Sequence, residues 1–268
     1  TGVTGDLFLG TAGADSWTGT AGDDRAFGGG GDDVLRGLDG NDLIVGEGGE
    51  DVVNGGGGDD VFQKSGTADG FDTVVGGAGA DRLEATAPDT DLGLRSVAST
   101  ELITGDGHPN VRILGTNAAN TLNLSAVTVT DVVSVDGAGG GDRITGTSDT
   151  DVLIGSAGTD TLTGGGGNDD LVGGTESDTL TGGAGSDRFV LTPGFGIDLA
   201  NGFDAVATGG QDLLDVRPLG ISAATFGAAV RITADPAGGT RVTIGTSRIR
   251  LASVAPASVT TADFLLAP

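Results

Sequence analysis

The sequence predicts an all-β coil of stacked parallel strands, a parallel β-roll, on three observations. A nine-residue period runs through it: GGGGDDVLR at 28–36, GLDGNDLIV at 37–45, GEGGEDVVN at 46–54 and GGGGDDVFQ at 55–63. Each repeat has an aspartate at its sixth position. Each also has an apolar residue at its eighth. The pattern G-G-x-G-x-D-x-U-x, with U apolar, is the signature of a solenoid in which every repeat must stack on another to bury its apolar face.

The positions have separate physical roles. Positions 1, 2 and 4 favour glycine because a chain that reverses direction needs positive φ, which glycine adopts at little cost. Bare backbone there also lets carbonyl oxygens approach an ion. Position 6 is a short, hard oxygen donor of the kind calcium prefers. Position 8 lies in a short strand and points inward. Two nonapeptides make one turn of about eighteen residues, so each loop stacks on the loop two along, at a strand spacing of roughly 4.8 Å. An ion between stacked loops collects carbonyls and one aspartate from each, about six oxygens in all.

The register extends beyond these four repeats. Position 6 of the first tract is Asp6, Asp15, Asp24, Asp33, Asp42, Asp51 and Asp60. Three extra residues, Lys64 to Gly66, then intervene, and the register resumes at Asp72 and Asp81. A second tract supplies Asp142, Asp151, Asp160, Asp169, Asp178 and Asp187. Position 8 in the same loops is Phe8, Trp17, Ala26, Leu35, Ile44, Val53, Phe62, Val74, Leu83, Ile144, Leu153, Leu162, Leu171, Leu180 and Phe189, all apolar. A Gly-rich flexible linker has no reason to keep that phase.

Charge and composition fit the same picture. The chain has 38 acidic and 13 basic residues, a net charge of −25, and the loop aspartates are the largest coherent share of it. Stacked carboxylates about 5 Å apart repel by roughly 0.8 kcal/mol per neighbour even in bulk water. Glycine, 54 of 268 residues, loses the most backbone entropy on ordering. The apolar core is one thin row per face. Roughly nine to eleven calcium ions are expected in such repeats, and metal binding and folding should be one reaction. The tracts are expected to be largely unfolded without calcium.

Absences narrow the function. There is no Cys, Met or Tyr, and His108 is the one histidine. That excludes a disulfide framework and a Cys/His zinc site, and leaves calcium as the staple of an extracellular chain. No apolar run of about 18 residues occurs, so no membrane span is expected. Strong acidity disfavours nucleic acid and anionic membranes as partners. No N-terminal signal sequence is recognisable. The first residues, TGVTGDLFL, are already in register, which suggests a piece of something longer. His108, in GDGHPN, reads as a loop residue.

With twelve nonapeptides in phase over residues 10–63 and 137–190, the chain resembles the RTX (repeats-in-toxin, hemolysin-type) calcium-binding proteins of Gram-negative bacteria. The resemblance implies a right-handed parallel β-roll in which position-6 aspartates and loop carbonyls bind calcium. Carried onto this chain, the ligands are the aspartates above with the carbonyls of Gly29, Gly31, Gly56, Gly58, Gly165, Gly167, Gly183 and Gly185. Asp149, Glu176 and Thr4 depart from the pattern by replacing glycine at position 4. Sites at those loops are expected to be weaker or strained.

Four segments follow. Residues 1–84 are a first calcium-binding roll and 137–190 a second. Residues 85–136 lose the aspartate register but keep β-rich runs, ELITG at 101–105, VRILG at 111–115, TLNLS at 121–125 and TDVVSVDG at 130–137. GTNAANTLN at 115–123 puts Asn120 in the aspartate position and Leu122 in the apolar one. This stretch reads as a β-helical connector held by apolar stacking and hydrogen bonds, with a floppy spacer as the alternative. In residues 191–268 glycine thins out and β-branched residues rise. GFDAVATGGQDLLDV at 202–216 resembles the segment after the last repeat in many RTX proteins. AAVRITA at 228–234 and TRVTIG at 240–245 read as a hairpin, SRIRLASV at 247–254 as a third strand. This block can cap the last turn, whose edge would otherwise be unpaired. Its end, VTTADFLLAP, resembles a C-terminal type I secretion signal.

The resemblance therefore implies the calcium-binding part of a secreted or cell-surface bacterial protein, exported unfolded through type I secretion machinery and folding outside on calcium. The alternative is a self-assembling surface-layer or adhesin module with calcium-mediated contacts to itself or to cell-surface polysaccharide. A polysaccharide-modifying β-helix enzyme is a weaker reading. Asp23–Asp24, Asp32–Asp33, Asp59–Asp60 and Asp169–Asp170 could pair for acid–base work, but they fit the repeat as ligand plus neighbour, and no catalytic residue is assigned. A regular Thr row for ice binding is missing from position 3 (Ala12, Ala21, Gly30, Asp39, Gly48, Gly57).

Overall fold

The chain is seen here as a computed structural model that describes residues 5–206 and 210–268. Thr4 of the first loop, and 207–209 within the segment 202–216, lie outside the described residues. The fold is all-β and built of parallel sheets, a solenoid. Its contacts divide it into two compact units, Thr1–Thr116 with Ala126–Val135, and Asn117–Ser125 with Asp136–Pro268.

In the first unit, alternate strands form two sheets. One stacks Leu7–Leu9, Arg25–Gly30, Leu43–Gly48, Val61–Lys64, Arg82–Ala85, Leu102–Thr104 and Thr128–Thr130. The other stacks Ser16–Thr18, Val34–Asp39, Val52–Gly57, Asp72–Ala78, Asp91–Ala98 and Arg112–Leu114. The eighteen-residue turn is read directly from the pairing: Ala26 opposes Ile44, and Leu35 opposes Val53. Past the insertion the offset becomes 21, with Val53 opposite Val74 and Phe62 opposite Leu83. Side chains alternate across a strand, so positions 6 and 8 face inward together. Accordingly Ala26, Leu35, Ile44, Val53, Phe62, Val74 and Leu83 are all buried. Phe8 and Trp17 are half-buried and stack on each other at 5.8 Å.

The coil continues through the segment without the aspartate register. Leu92, Leu94, Ile103, Val111 and Ile113 are fully buried. TDVVSVDG is not one strand: it breaks at Asp131, whose φ is 56°, between Thr128–Thr130 and Ser134–Asp136.

In the second unit, Thr121–Asn123, Arg143–Thr145, Thr161–Gly166, Thr179–Ala184 and Ile197–Asn201 stack in parallel on one face. Val152–Ala157, Asp170–Thr175, Arg188–Val190 and Leu213–Asp215 stack on the other. Leu122, Ile144, Leu153, Leu162, Leu171, Leu180 and Phe189 form the buried row.

The end of the chain covers both edges. Val230–Ala234 and Thr240–Ile244 form the expected antiparallel hairpin, and Ser247–Leu251 joins it. That third strand also pairs in parallel with Ile197–Asn201, and Phe264–Leu265 pairs with Leu213–Asp215. One boundary needs correction. Ala228 and Ala229 belong to a helical turn, Phe226–Ala229, because Thr225 O accepts both of their N–H groups.

Candidate functional site: four ladders of aspartates

The aspartates of the repeat register fall into rows along the stack. Within the first unit one row holds Asp6, Asp24, Asp42, Asp60 and Asp81, the other Asp15, Asp33, Asp51 and Asp72. Each row is tied by one repeated hydrogen bond: the backbone N–H of an aspartate donates to Oδ1 of its equivalent one turn on. Asp24, Asp33 and Asp42 donate at 2.8 Å to Asp42, Asp51 and Asp60. Asp15 donates to Asp33 at 2.7 Å, and Asp6 donates to Asp24. Asp51 and Asp60 donate to Asp72 and Asp81 at 3.0 and 2.9 Å. In the second unit the rows are Asn120–Asp142–Asp160–Asp178 and Asp151–Asp169–Asp187, with the same bond at 2.7–3.0 Å.

Sequence reasoning missed three members. Asp81 donates to Glu101 Oε2, Asp178 to Asp198 Oδ1 and Asp187 to Asp212 Oδ1. Glu101, Asp198 and Asp212 each have an apolar, buried residue two places on, Ile103, Ala200 and Leu214, which is the signal that could have found them.

Oδ1 is thus spoken for, and Oδ2 defines the candidate site. Ten of these oxygens are buried without any hydrogen-bond partner, on Asp33, Asp42, Asp51, Asp60, Asp81, Asp142, Asp160, Asp169, Asp178 and Asp187. A buried anionic oxygen with no partner is costly, and such groups are normally satisfied in native proteins.

Beside each lies a glycine at position 1. A methyl carbon placed on Gly28 would overlap Asp33 Oδ2 and come within 2.6 Å of Gly46 O; on Gly37 it would overlap Asp42 Oδ2 and lie 2.7 Å from Gly55 O. Gly155 and Gly164 repeat this with Asp160 and Gly173 O, and with Asp169 and Gly182 O, both carbonyls at 2.5 Å. The missing side chain therefore leaves a pocket of carboxylate and carbonyl oxygens. This corrects the expected role of position 1. Positive φ occurs at positions 2 and 4, as at Gly56 (117°) and Gly58 (126°), and not at position 1.

Gly31, Gly56, Gly58, Gly165 and Gly167 turn their oxygens along the stack, against the backbone of Gly49, Gly77, Gly79, Gly183 and Gly185. Gly29, Gly183 and Gly185 share the same positive φ. The position-1 carbonyls of the next coil, such as Gly46 O and Gly55 O, border the same space as Oδ2. An all-oxygen set of carboxylate and carbonyl fits a hard cation such as calcium. Among the described residues no three His, Cys, Asp or Glu converge, so a cation there must use backbone oxygens.

Three loops differ. Where position 2 is threonine, its N–H and Oγ1 engage the loop's own aspartate: Thr11 with Asp15, Thr20 with Asp24 and Thr147 with Asp151, the N–H donating at 2.6–2.7 Å. Asp149, in the third of these loops, donates its N–H to Thr147 Oγ1. Glu176 adopts the expected strained backbone, with φ 73°. Asp6, at the first turn, is exposed.

The register resumes at Asp72 after the insertion, as the sequence reading expects. Asp69 follows Lys64 at the usual five-residue spacing and closes a loop through the N–H of Ser65, at 2.5 Å. Gly70 already lies against the backbone of Gly49, 21 residues before it, so the register has resumed by that point, and Asp72 is the one that enters the ladder.

The other carboxylates of the suspected acid–base pairs have partners. Asp23, Asp32 and Asp59 form an outer ladder, accepting from the N–H groups of Asn41, Glu50 and Ala80. Asp170 pairs with Arg188.

Electrostatics follow from the burial. Desolvation pushes Asp42, Asp51, Asp142, Asp178 and Asp212 up to about 6, and Asp60, Asp169 and Asp198 up to about 7, against the pull of the ladder N–H groups. Each of these carboxyls holds its proton more tightly folded than unfolded. In calcium-free buffer the folded form is therefore favoured below about pH 4 and loses that advantage as pH rises through 6–7. Far-ultraviolet circular dichroism in chelator should show more β structure at about pH 4.5 than at about pH 7.5; the reverse order would contradict these shifts.

The family model described as RTX calcium-binding nonapeptide repeat matches residues 9–44, 27–62, 67–87, 136–171 and 163–197. No curated protein matches the chain. Among solved structures the chain is similar to the AlgE6R3 subunit from the Azotobacter vinelandii mannuronan C5-epimerase, with 25% identity over 50% of this chain and 79% of that one and a TM-score of 0.37. It is also similar to the extracellular lipase LipA from Serratia marcescens, with 22% identity over 100% of this chain and 41% of that one and a TM-score of 0.37. The chain thus spans less than half the length of that lipase.

Proposed function

Because this chain belongs to the RTX calcium-binding nonapeptide repeat family, we propose that it is a calcium-binding β-roll module that folds when calcium fills its aspartate rows. The observation that carries this reading is the set of ten buried, unpartnered Oδ2 atoms, spaced one coil apart along each row. The proposed ligands are these aspartates, with Asp15, Asp24 and Asp151 in the threonine-closed loops and Asp6 at the end of a row, together with loop carbonyls from positions 1 to 4. Bound calcium would supply the positive charge that lets stacked carboxylates stay ionised while buried.

The chain's own residues do the rest. Position-1 glycines keep room beside Oδ2, ladder N–H groups orient Oδ1, and the apolar row sets the coil spacing. In this reading residues 1–84 and 137–190 are the calcium-dependent rolls. Residues 85–136 connect them through apolar packing, and 191–268 cap the second roll and carry a type I export signal. The protein is then a part of a secreted or cell-surface bacterial protein that leaves the cell unfolded, where free calcium is low, and folds outside near millimolar calcium. No catalytic step is assigned, since the carboxylates beside the ladder aspartates are held by backbone N–H groups or by Arg188. No helix among the described residues is long and apolar enough to cross a membrane.

Equilibrium dialysis with elemental calcium analysis tests the reading. About ten ions per chain are expected for rows of this kind; none or one would overturn it.

A further inference from the structure

Lys64 is the only lysine of the chain, and it stands where every neighbouring complete loop has its position-1 glycine. Counting nine from Gly55 reaches Lys64, which ends the strand Val61–Lys64 and pairs with Ala85. At the equivalent glycines a side chain would run into the oxygen pocket. Here a side chain does enter it. Lys64 is 4% exposed, and its Nζ donates to Asp72 Oδ2 at 2.6 Å and to Asp69 O at 2.9 Å. The two acceptors are a ladder carboxylate and a loop carbonyl, the same chemistry found beside the other glycines.

Asp72 is a full member of its row, since its Oδ1 accepts the N–H of Asp51 at 3.0 Å. Yet its Oδ2 is satisfied, whereas those of Asp51 before it and of Asp60 and Asp81 in the other row are not. The next coil explains the difference. The residue paired with Asp72 in the next coil is Leu94, which is fully buried, while Thr90, five residues after Ala85, bonds Ala87 O and the N–H of Gly66. A divalent ion at Asp72 would have one ladder carboxylate where its neighbours have two, a weaker site that loop carbonyls would complete only if the lysine were absent. A single ammonium matches a single carboxylate. Burying either charge alone is costly, and the pair with its extra carbonyl bond is the arrangement that makes both tolerable.

We propose that Lys64 is a tethered cation that takes the place of one calcium ion, neutralising Asp72 and ending the ion row on this face. This rests on the calcium reading of the neighbouring loops. The row containing Asp51 then hands over from metal to protein charge at the point where the aspartate register stops.

Two measurements test it. The first is equilibrium dialysis of calcium with the wild-type chain and Lys64→Gly, which restores the position-1 glycine. The variant is expected to bind one more ion per chain than wild type. Equal counts, with wild type binding several, would sink the Lys64 assignment alone; a wild type that binds none sinks the calcium reading itself. If Lys64→Gly does not fold, the wild type decides. With calcium saturating, Lys64 should resist acylation by an N-hydroxysuccinimide ester, read by peptide mass spectrometry, and become reactive on addition of chelator. Ordinary reactivity in saturating calcium would show that calcium expels the lysine, and would overturn the proposal.

Discussion

Asp42→Asn should lower the number of bound calcium ions and raise the calcium concentration needed for folding by roughly tenfold or more, since affinity in such sites follows ligand charge. Asp42 lies in mid-row. Its Oδ1 accepts the N–H of Asp24, its own N–H donates to Asp60, and its Oδ2 is buried without a partner beside Gly37 and Gly55 O. An amide keeps the Oδ1 bond and the volume but removes the charge. It also aims an NH2 group at oxygens placed for a cation. Two stacked sites share this position, so both should weaken. Asp89→Asn is the control: Asp89 is exposed, has φ 53° and accepts only from Asn110 among the hydrogen bonds described, and asparagine tolerates that backbone. Unchanged calcium stoichiometry in Asp42→Asn would count against the row register.

Gly164→Ala separates an ion pocket from a backbone requirement. Gly164 does not have positive φ, so alanine is allowed there. By its effect on the unfolded chain alone it should stabilise by about 0.4–1 kcal/mol. But its methyl would overlap Asp169 Oδ2 and lie 2.5 Å from Gly182 O. The expected result is the opposite of the propensity rule: one ion fewer by dialysis and a lower melting temperature in saturating calcium. Gly30→Ala is the matched control, at position 3, where the new carbon would be 3.5 Å or more from its neighbours, an ordinary contact. If Gly164→Ala were as stable as wild type with a full ion count, the pocket beside Oδ2 would not be the calcium site.

The regular parts of this protein were legible because each position of the period has one job. An aspartate at position 6 and an apolar residue at position 8 recur at a fixed spacing, and the strands pair at that same spacing. What was missed lies where the spacing breaks. Glu101, Asp198 and Asp212 enter the rows after turns of irregular length, 20, 20 and 25 residues from their partners. A fixed nine-residue count passes over them, although all three keep the apolar residue two places on. Position-1 glycine was read as a φ requirement because composition alone cannot separate conformational freedom from lack of room. Lys64 was taken as part of an insertion because a lysine in a glycine position looks like a departure from the repeat. Its role depends on where its Nζ reaches, which spacing does not encode.

The most direct test is a calcium titration of the chain followed by far-ultraviolet circular dichroism, then reversed with excess EDTA. The account predicts little β signal in chelator at neutral pH, a cooperative gain as calcium approaches the millimolar range, and its loss on chelation. A chain that keeps its full β signal in excess EDTA at neutral pH would contradict the claim that calcium between successive coils holds this fold together.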